Sequence, residues 1–256
     1  MKITWFGTAS LALESGDTRI LLDPFFRRNK KLPPTNPEVF WDYNAILITH
    51  GHFDHLMDVP RVMRADPEVV AYCTKTPRES LIRAGVAARR IHTVEDGDQF
   101  SIGDFTIKVH RGHHIDFNME YITQVVPSCI RQFTKSLPML RYLKKLPENS
   151  EIVIYEIRAE SKTVLIMGSY GIDAMAQYPE SPDLLIFPYA GNTNIPSIAA
   201  GCIRAIHPKQ IFFDHFDDAF PPLTIRMDVE GYCDMLRKVM PDVKLHIPIE
   251  GDTFTL

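Results

Sequence analysis

Residues 48–58 read ITHGHFDHLMD and place His50, His52, Asp54 and His55 within six positions, directly after the short apolar run AIL at 45–47. This stretch limits the fold more than any other feature of the chain. Four polar side chains crowded onto one turn must be carried by a rigid element and must converge on something that repays their desolvation. On an extended strand end, residues two apart point the same way, so His50 and His52 can grip one ion. Asp54 and His55 lie past the turn and address a second position. Imidazole and carboxylate suit Zn²⁺, with Mn²⁺ and Fe²⁺ as alternatives, and one or two ions are compatible with the pattern.

The rest of the chain reads as a scaffold for that turn. KITWFG, LALES and TRILLD open it as a meander of short strands. AILITH, a helix over 57–64, the strand VVAYC and a helix in TPRESLIRAG follow. Strands are then expected at DFTIKVH, EIVIYEIR, TVLIMGS, DLLIFPY, QIFFDH and KLHIP, with helices in IPSIAAGCIRAI and MDVEGYCDMLRKVM. The alternation implies sheets covered by helices on the outside. One segment, 117–150, breaks the pattern. A helix over 136–146 would gather Met139, Leu140, Leu143 and Leu146 on one face and Arg141, Lys144 and Lys145 on the other, which makes the segment a candidate lid.

Composition excludes several partner classes. The 256 residues carry a formal net charge of -4, so no general attraction to nucleic acid is expected. The four cysteines, Cys73, Cys129, Cys202 and Cys233, are scattered and form no CxxC pair, which argues against a disulfide scaffold. No apolar run reaches the roughly 18 residues of a transmembrane segment. A cytoplasmic protein acting on a small-molecule substrate is expected, with a homo-oligomer left open.

The chain resembles the metallo-β-lactamase superfamily, whose motif T/S-H-x-H-x-D-H is matched by Thr49-His50-Gly51-His52-Phe53-Asp54-His55. MKITWFGTASLALES with ILLDPFF, and later LLIFPYAG with HPKQIFFDHFDDAF, are similar to the branch that includes L-ascorbate-6-phosphate lactonase. Segment 117–150 lies outside the resemblance. The resemblance implies an αββα sandwich formed by one metallo-hydrolase domain over 1–256, with 117–150 as a helical insertion. It also asks for three further ligands. For the one after FTIKV, the stretch HRGHH offers His114 first, His113 close behind and His110 third. The last is met by His215 in IFFDHF. The remaining one is an aspartate in most members, bridging two ions, and here Ser169 stands in its place, with Asp173 a distant substitute. A second ion held without a bridge, a single ion, or a loss of activity are the three outcomes.

Three histidines around an ion leave a position for water, whose pKa Zn²⁺ lowers from about 16 to about 7. The expected enzyme is a metal-dependent hydrolase using a metal-bound hydroxide, acting on a lactone or other ester, with Asp54 orienting the nucleophile and accepting its proton. A phosphodiesterase of the same fold, or a non-catalytic metal-binding member, is the alternative. Asp23 in the DPFF turn is a candidate for the site edge or for supporting the ligands. Tyr189 and Asn192, after a strand ending at the metal face, are candidates for contacting substrate. Arg27, Arg28, Lys30 and Lys31 form a cationic run that either attracts an anion or is simply solvated.

Overall fold

The computed structural model describes residues 1–114, 118–131, 151–169, 171–172 and 177–256. The expected helix over 136–146 and Asp173 lie outside the described residues. The opening meander is β1 (Lys2–Gly7), β2 (Ser10–Ser15) and β3 (Thr18–Leu22), followed by β4 (Ala45–Leu47), β5 (Val70–Cys73) and β6 (Ile91–Thr93). The chain then crosses to a second sheet through β7 (Gln99–Ile102), β8 (Phe105–His113), β9 (Ile152–Ala159), β10 (Lys162–Met167), β11 (Gly171–Ile172), β12 (Leu184–Pro188), β13 (Gln210–Asp214) and β14 (Lys244–His246). It returns to the first sheet with β15 (Thr253–Thr255). Among the described residues the first sheet runs β15-β1-β2-β3-β4-β5-β6 and the second β11-β8-β9-β10-β12-β13-β14, with β7 beside β8.

The layers follow from side-chain alternation. Leu11, Leu13, Ile20, Leu22, Ala45 and Leu47 face the second sheet and share a core with Phe105, Ile107, Ile157 and Val164. Their neighbours Ala12, Leu21 and Ile46 point the opposite way and pack with Val59, Val62, Met63 and Leu81. Those last four lie on the helices Val59–Ala65 and Lys75–Arg83, which form one outer layer. The helices Ile195–Ile206 and Val229–Val239 cover the second sheet with Ala199, Ile203, Tyr232 and Leu236. The architecture is the αββα sandwich.

Three differences from the sequence reading bear on the site. The helix expected over 57–64 is two pieces, Phe53–Leu56 and Val59–Ala65, the second with proline in its first turn. Residues 119–131, which carry no strong helical pattern and contain Pro127, form a helix whose first turn is held by Asn118 Oδ1 accepting from Tyr121 N at 3.1 Å. The short strands β7, β11 and β15 were not anticipated. Each is a partly exposed strand of two to four residues and is defined by its partner rather than by its own composition.

Candidate metal centre

β4 ends at Leu47, and the motif that follows is held from both sheets. Ile48 N donates to Tyr72 O at 2.9 Å and Val153 N donates to Thr49 O at 3.0 Å. The buried Tyr155 hydroxyl donates to Ile48 O at 3.0 Å. The end of β10 comes closer still, since a Cβ placed on Gly168 would stand 2.2 Å from Thr49 Cβ. Only glycine permits that approach.

Two groups of donor atoms result. His50, His52 and His114 each bring a ligand atom within 4.8 Å of the others, and so do Asp54, His55 and His215. In the first group His52 Nδ1 and His114 Nε2 are 3.1 Å apart. In the second, His55 Nε2 and His215 Nε2 are 3.1 Å apart, with Asp54 carboxylate oxygens at 3.9 and 3.8 Å from these nitrogens. The groups adjoin, the rings of His50 and His55 having centroids 3.9 Å apart. His50 Nδ1 lies 3.1 Å from Thr49 Oγ1, whereas its buried Nε2 has no hydrogen-bond partner. Leaving such an atom unsatisfied costs about 1–3 kcal/mol, which a cation at the first group would remove. The donors therefore fit divalent metal, three nitrogens in one group and two nitrogens with a carboxylate in the other.

Each group has its own supports. Asp23, buried at the end of β3, accepts from Thr49 N at 2.9 Å and from Thr49 Oγ1 at 2.6 Å, and its Oδ2 lies 2.7 Å from His55 Nδ1. A carboxylate on Nδ1 fixes the ring and turns Nε2 to the site. His215 Nδ1 lies 3.4 Å from Asp214 Oδ1. The His215 backbone is left-handed at φ 59, and its N–H donates to Thr8 O at 3.0 Å. Thr8 is itself left-handed at φ 51, and its N–H donates to the buried Asp217 at 3.0 Å. Two sparsely populated backbone conformations thus meet behind one donor, where surrounding contacts must hold them.

The electrostatics of the metal-free chain differ between the groups. Burial, then the neighbouring imidazoles, hold His50 and His55 well below the usual histidine range, and burial with His114 lowers His52 to about 4. Burial raises Asp23 to about 7 against its Thr49 hydrogen bonds, and it raises Asp54 and Asp214 as well. Burial also opposes charge on His215, yet the carboxylates of Asp214, Asp54 and Asp217 lift it to about 9.

Of the residues singled out in the sequence, the motif four, His114 and His215 come together. His113 is exposed on β8 and lies in neither group, because an adjacent residue on a strand faces the other way. His110 is buried, with Nε2 2.7 Å from Glu156 Oε2. Ser169 is buried directly after Gly168, on the segment that touches Thr49. Tyr189, a candidate for substrate contact, has its ring buried and stacked on Tyr232 at 5.1 Å. Asn192 is buried, and its side chain accepts from Asn194 N at 2.7 Å within its own turn. In the cationic run Lys30 and Lys31 are exposed. Arg27 is ion-paired with Glu250, and Arg28 meets Asp58 at 2.7 Å. Asp214, Asp217 and the supporting role of Thr49 were missed, although each stands beside a ligand in FFDHFDD or THGH and that adjacency was the available signal.

Comparison with known proteins places this geometry in context. Residues 2–213 match the model of the beta-lactamase superfamily domain. A UPF0173 metal-dependent hydrolase of Haloarcula marismortui is 28% identical over 267 residues, covering 100% of both chains. Among solved structures, Igni18, a metallo hydrolase from Ignicoccus hospitalis, aligns with a TM-score of 0.70 at 17% identity over 100% of this chain and 98% of that one. The metallo-beta-lactamase fold protein YhfI from Bacillus subtilis aligns with a TM-score of 0.66 at 14% identity over 99% and 98%. These two likenesses are of fold. No helix among the described residues is long and apolar enough to cross a membrane.

Proposed function

The chain belongs to the beta-lactamase superfamily and is a metal-dependent hydrolase of that fold, and we propose that its substrate is a lactone or other ester. The observation that carries this reading is the pair of adjoining donor groups, with His50 Nε2 buried and unpartnered in the first. His50, His52 and His114 would hold one ion and Asp54, His55 and His215 a second, with zinc favoured and manganese or iron as alternatives. A divalent ion at this site supplies acidified water and polarisation of the substrate carbonyl.

The remaining steps fall to the chain's own groups. Asp54 reaches toward both His55 and His215, a position from which its carboxylate can orient the attacking water and accept its proton. Water oxygen then bonds to the carbonyl carbon, the ester C–O bond breaks, and the proton passes to the departing alkoxide. Asp23 holds His55 in one orientation throughout, and Asp214 does the same for His215. Ser169 brings no charge to the segment where the resemblance leads one to expect a carboxylate, so retention of the second ion rests on Asp54. That observation also favours the second reading, a member that binds metal without catalysis.

The test is metal content by mass spectrometry on protein purified without chelator, combined with turnover of a lactone, a simple ester and a phosphodiester. Between one and two ions per chain with ester or lactone turnover is the expected result. Metal-loaded protein inactive on all three would favour the non-catalytic reading, and preference for the phosphodiester would move the activity to that class.

A further inference from the structure

The surface beside Asp54 is aromatic. Phe53, between His52 and Asp54 in the chain, has its ring centroid 4.9 Å from that of Phe220 and 6.3 Å from that of Phe25. Met57 and Leu223 join this cluster while remaining partly exposed. The helix Met119–Arg131 lies against the same loop, with Cys129 Sγ donating to Pro222 O at 3.7 Å. The start of that helix is tied to the loop after β12 by Asn118 Nδ2 donating to Thr193 Oγ1 at 2.6 Å. Tyr121, between these two moorings, is buried and close enough to Asp54 and Asp218 for their charges to be felt by its hydroxyl.

Carboxylates gather around the donor groups. Asp23, Asp214 and Asp217 are buried and Asp54 is nearly so. Among the described residues, the two arginines that follow the DPFF turn are paired. Arg28 meets Asp58 at 2.7 Å beneath the aromatic cluster and lies 5.4 Å from the Phe25 ring. Arg27 is ion-paired with Glu250 and donates to Pro33 O at 2.9 Å. An apolar substituent packed against these rings would be stabilised by leaving water.

We propose that Phe53, Met57, Phe220 and Leu223 form a subsite for an uncharged, apolar substituent of the substrate, covered by the helix Met119–Arg131. The inference rests on the ester or lactone reading for its chemistry, but the subsite is defined by packing. It narrows the substrate to a carbonyl compound with an alkyl or aryl group.

A homologous series separates the two claims. On metal-loaded protein, kcat/KM for γ-lactones with unbranched alkyl groups from methyl to hexyl should rise about three- to fourfold per methylene over the first members, the gain for burying one CH₂. A lactone of equal length ending in a carboxylate should lose that gain. Phe53→Ala and Leu223→Ala, checked for unchanged melting temperature and metal content, should each flatten the slope of the series. In parallel, the Kd of unreactive methyl n-alkyl ketones, measured by calorimetry, should fall with chain length in the wild type and less steeply in both variants. A flat ketone series, or variants that lower every member equally, would overturn the subsite. A rising ketone series with no lactone or ester turned over would leave the subsite standing and overturn the ester reading instead.

Discussion

The two donor groups are neighbours with different construction. His50, His52 and His114 supply nitrogen alone, from a strand end and the residue after β8, with the Thr49 hydroxyl beside His50. Asp54, His55 and His215 include a carboxylate and stand on three further ones, Asp23, Asp214 and Asp217, with His215 in a left-handed backbone. The first is a neutral cage whose cost is buried imidazole. The second is an acidic nest, and in the metal-free chain its own protonated His215 occupies the electrostatic role of a cation. Occupancy of the first should therefore depend on donor geometry and that of the second on charge.

The largest effect should come from removing a donor of the neutral cage. His52→Ala should abolish binding of one ion and lower hydrolysis by more than about 100-fold, since even an outer partner of a ligand is worth about 10–100-fold. It should also remove that ion's share of the stabilisation that wild-type protein loses to chelator, about 2.7 kcal/mol when metal stands at 100 times its Kd. Melting curves of the variant that still respond to EDTA as wild type does would break the assignment.

Next come the supports. Asp23→Asn keeps the size of the side chain but weakens its hold on His55, so affinity at the second group should fall by about 10–100-fold while the first is retained. Sequential metal titration reads this directly, and equal loss at both groups would mean that Asp23 acts through Thr49 on the whole motif.

The pH dependence of the metal-free chain should split along the same line. His52 is held near 4 when folded, below its ordinary value of 6.5, so its folded form binds fewer protons than the unfolded chain and stability falls as pH drops from 6.5 toward 4. His215 is raised to about 9, so the stability it contributes is full below 6.5 and is lost as pH rises through 9. His52→Gln should reduce the slope of the acid limb, which His50 and His55 share, and His215→Gln should flatten the alkaline one. A single variant that flattens both limbs would show the groups to be one electrostatic unit.

The smallest effect is a gain. Ser169→Asp adds a charge on the segment packed against Thr49, and unit charges near 4 Å attract by about 1 kcal/mol at the aqueous limit, so the second ion should bind roughly fivefold more tightly. If wild-type protein already retains two ions through dialysis and the variant changes nothing, Asp54 alone suffices.

The same contrast explains what could be read from the sequence. His50, His52, Asp54 and His55 sit in one turn, so their convergence is local and the strand-end geometry follows from alternation. His215 and His114 were found only through resemblance, because nothing local distinguishes His114 from His113 except which face of β8 the chain presents. Asp23 was visible as a turn residue, but its partners lie 26 and 32 positions away, and that separation carries no periodic signal. Tyr189 and Arg27 show the same dependence on distant partners. A strand end and a basic run show where a side chain begins, whereas the core stacking on Tyr232 and the ion pair with Glu250 decide where it ends. The helix Met119–Arg131 escaped notice because Pro127 interrupts it and its β-branched residues favour a strand reading.

The hydrogen bond from His215 N–H to Thr8 O has a temporal meaning as well. During synthesis the donors of the neutral cage have all been made once residue 114 has been added, whereas Asp54 and His55 wait for roughly a hundred more residues before their third partner exists. When His215 arrives, it is received by Thr8, on a turn made about two hundred residues earlier. The acidic nest thus joins segments far apart in the chain, and its three donors come together only after those segments have met.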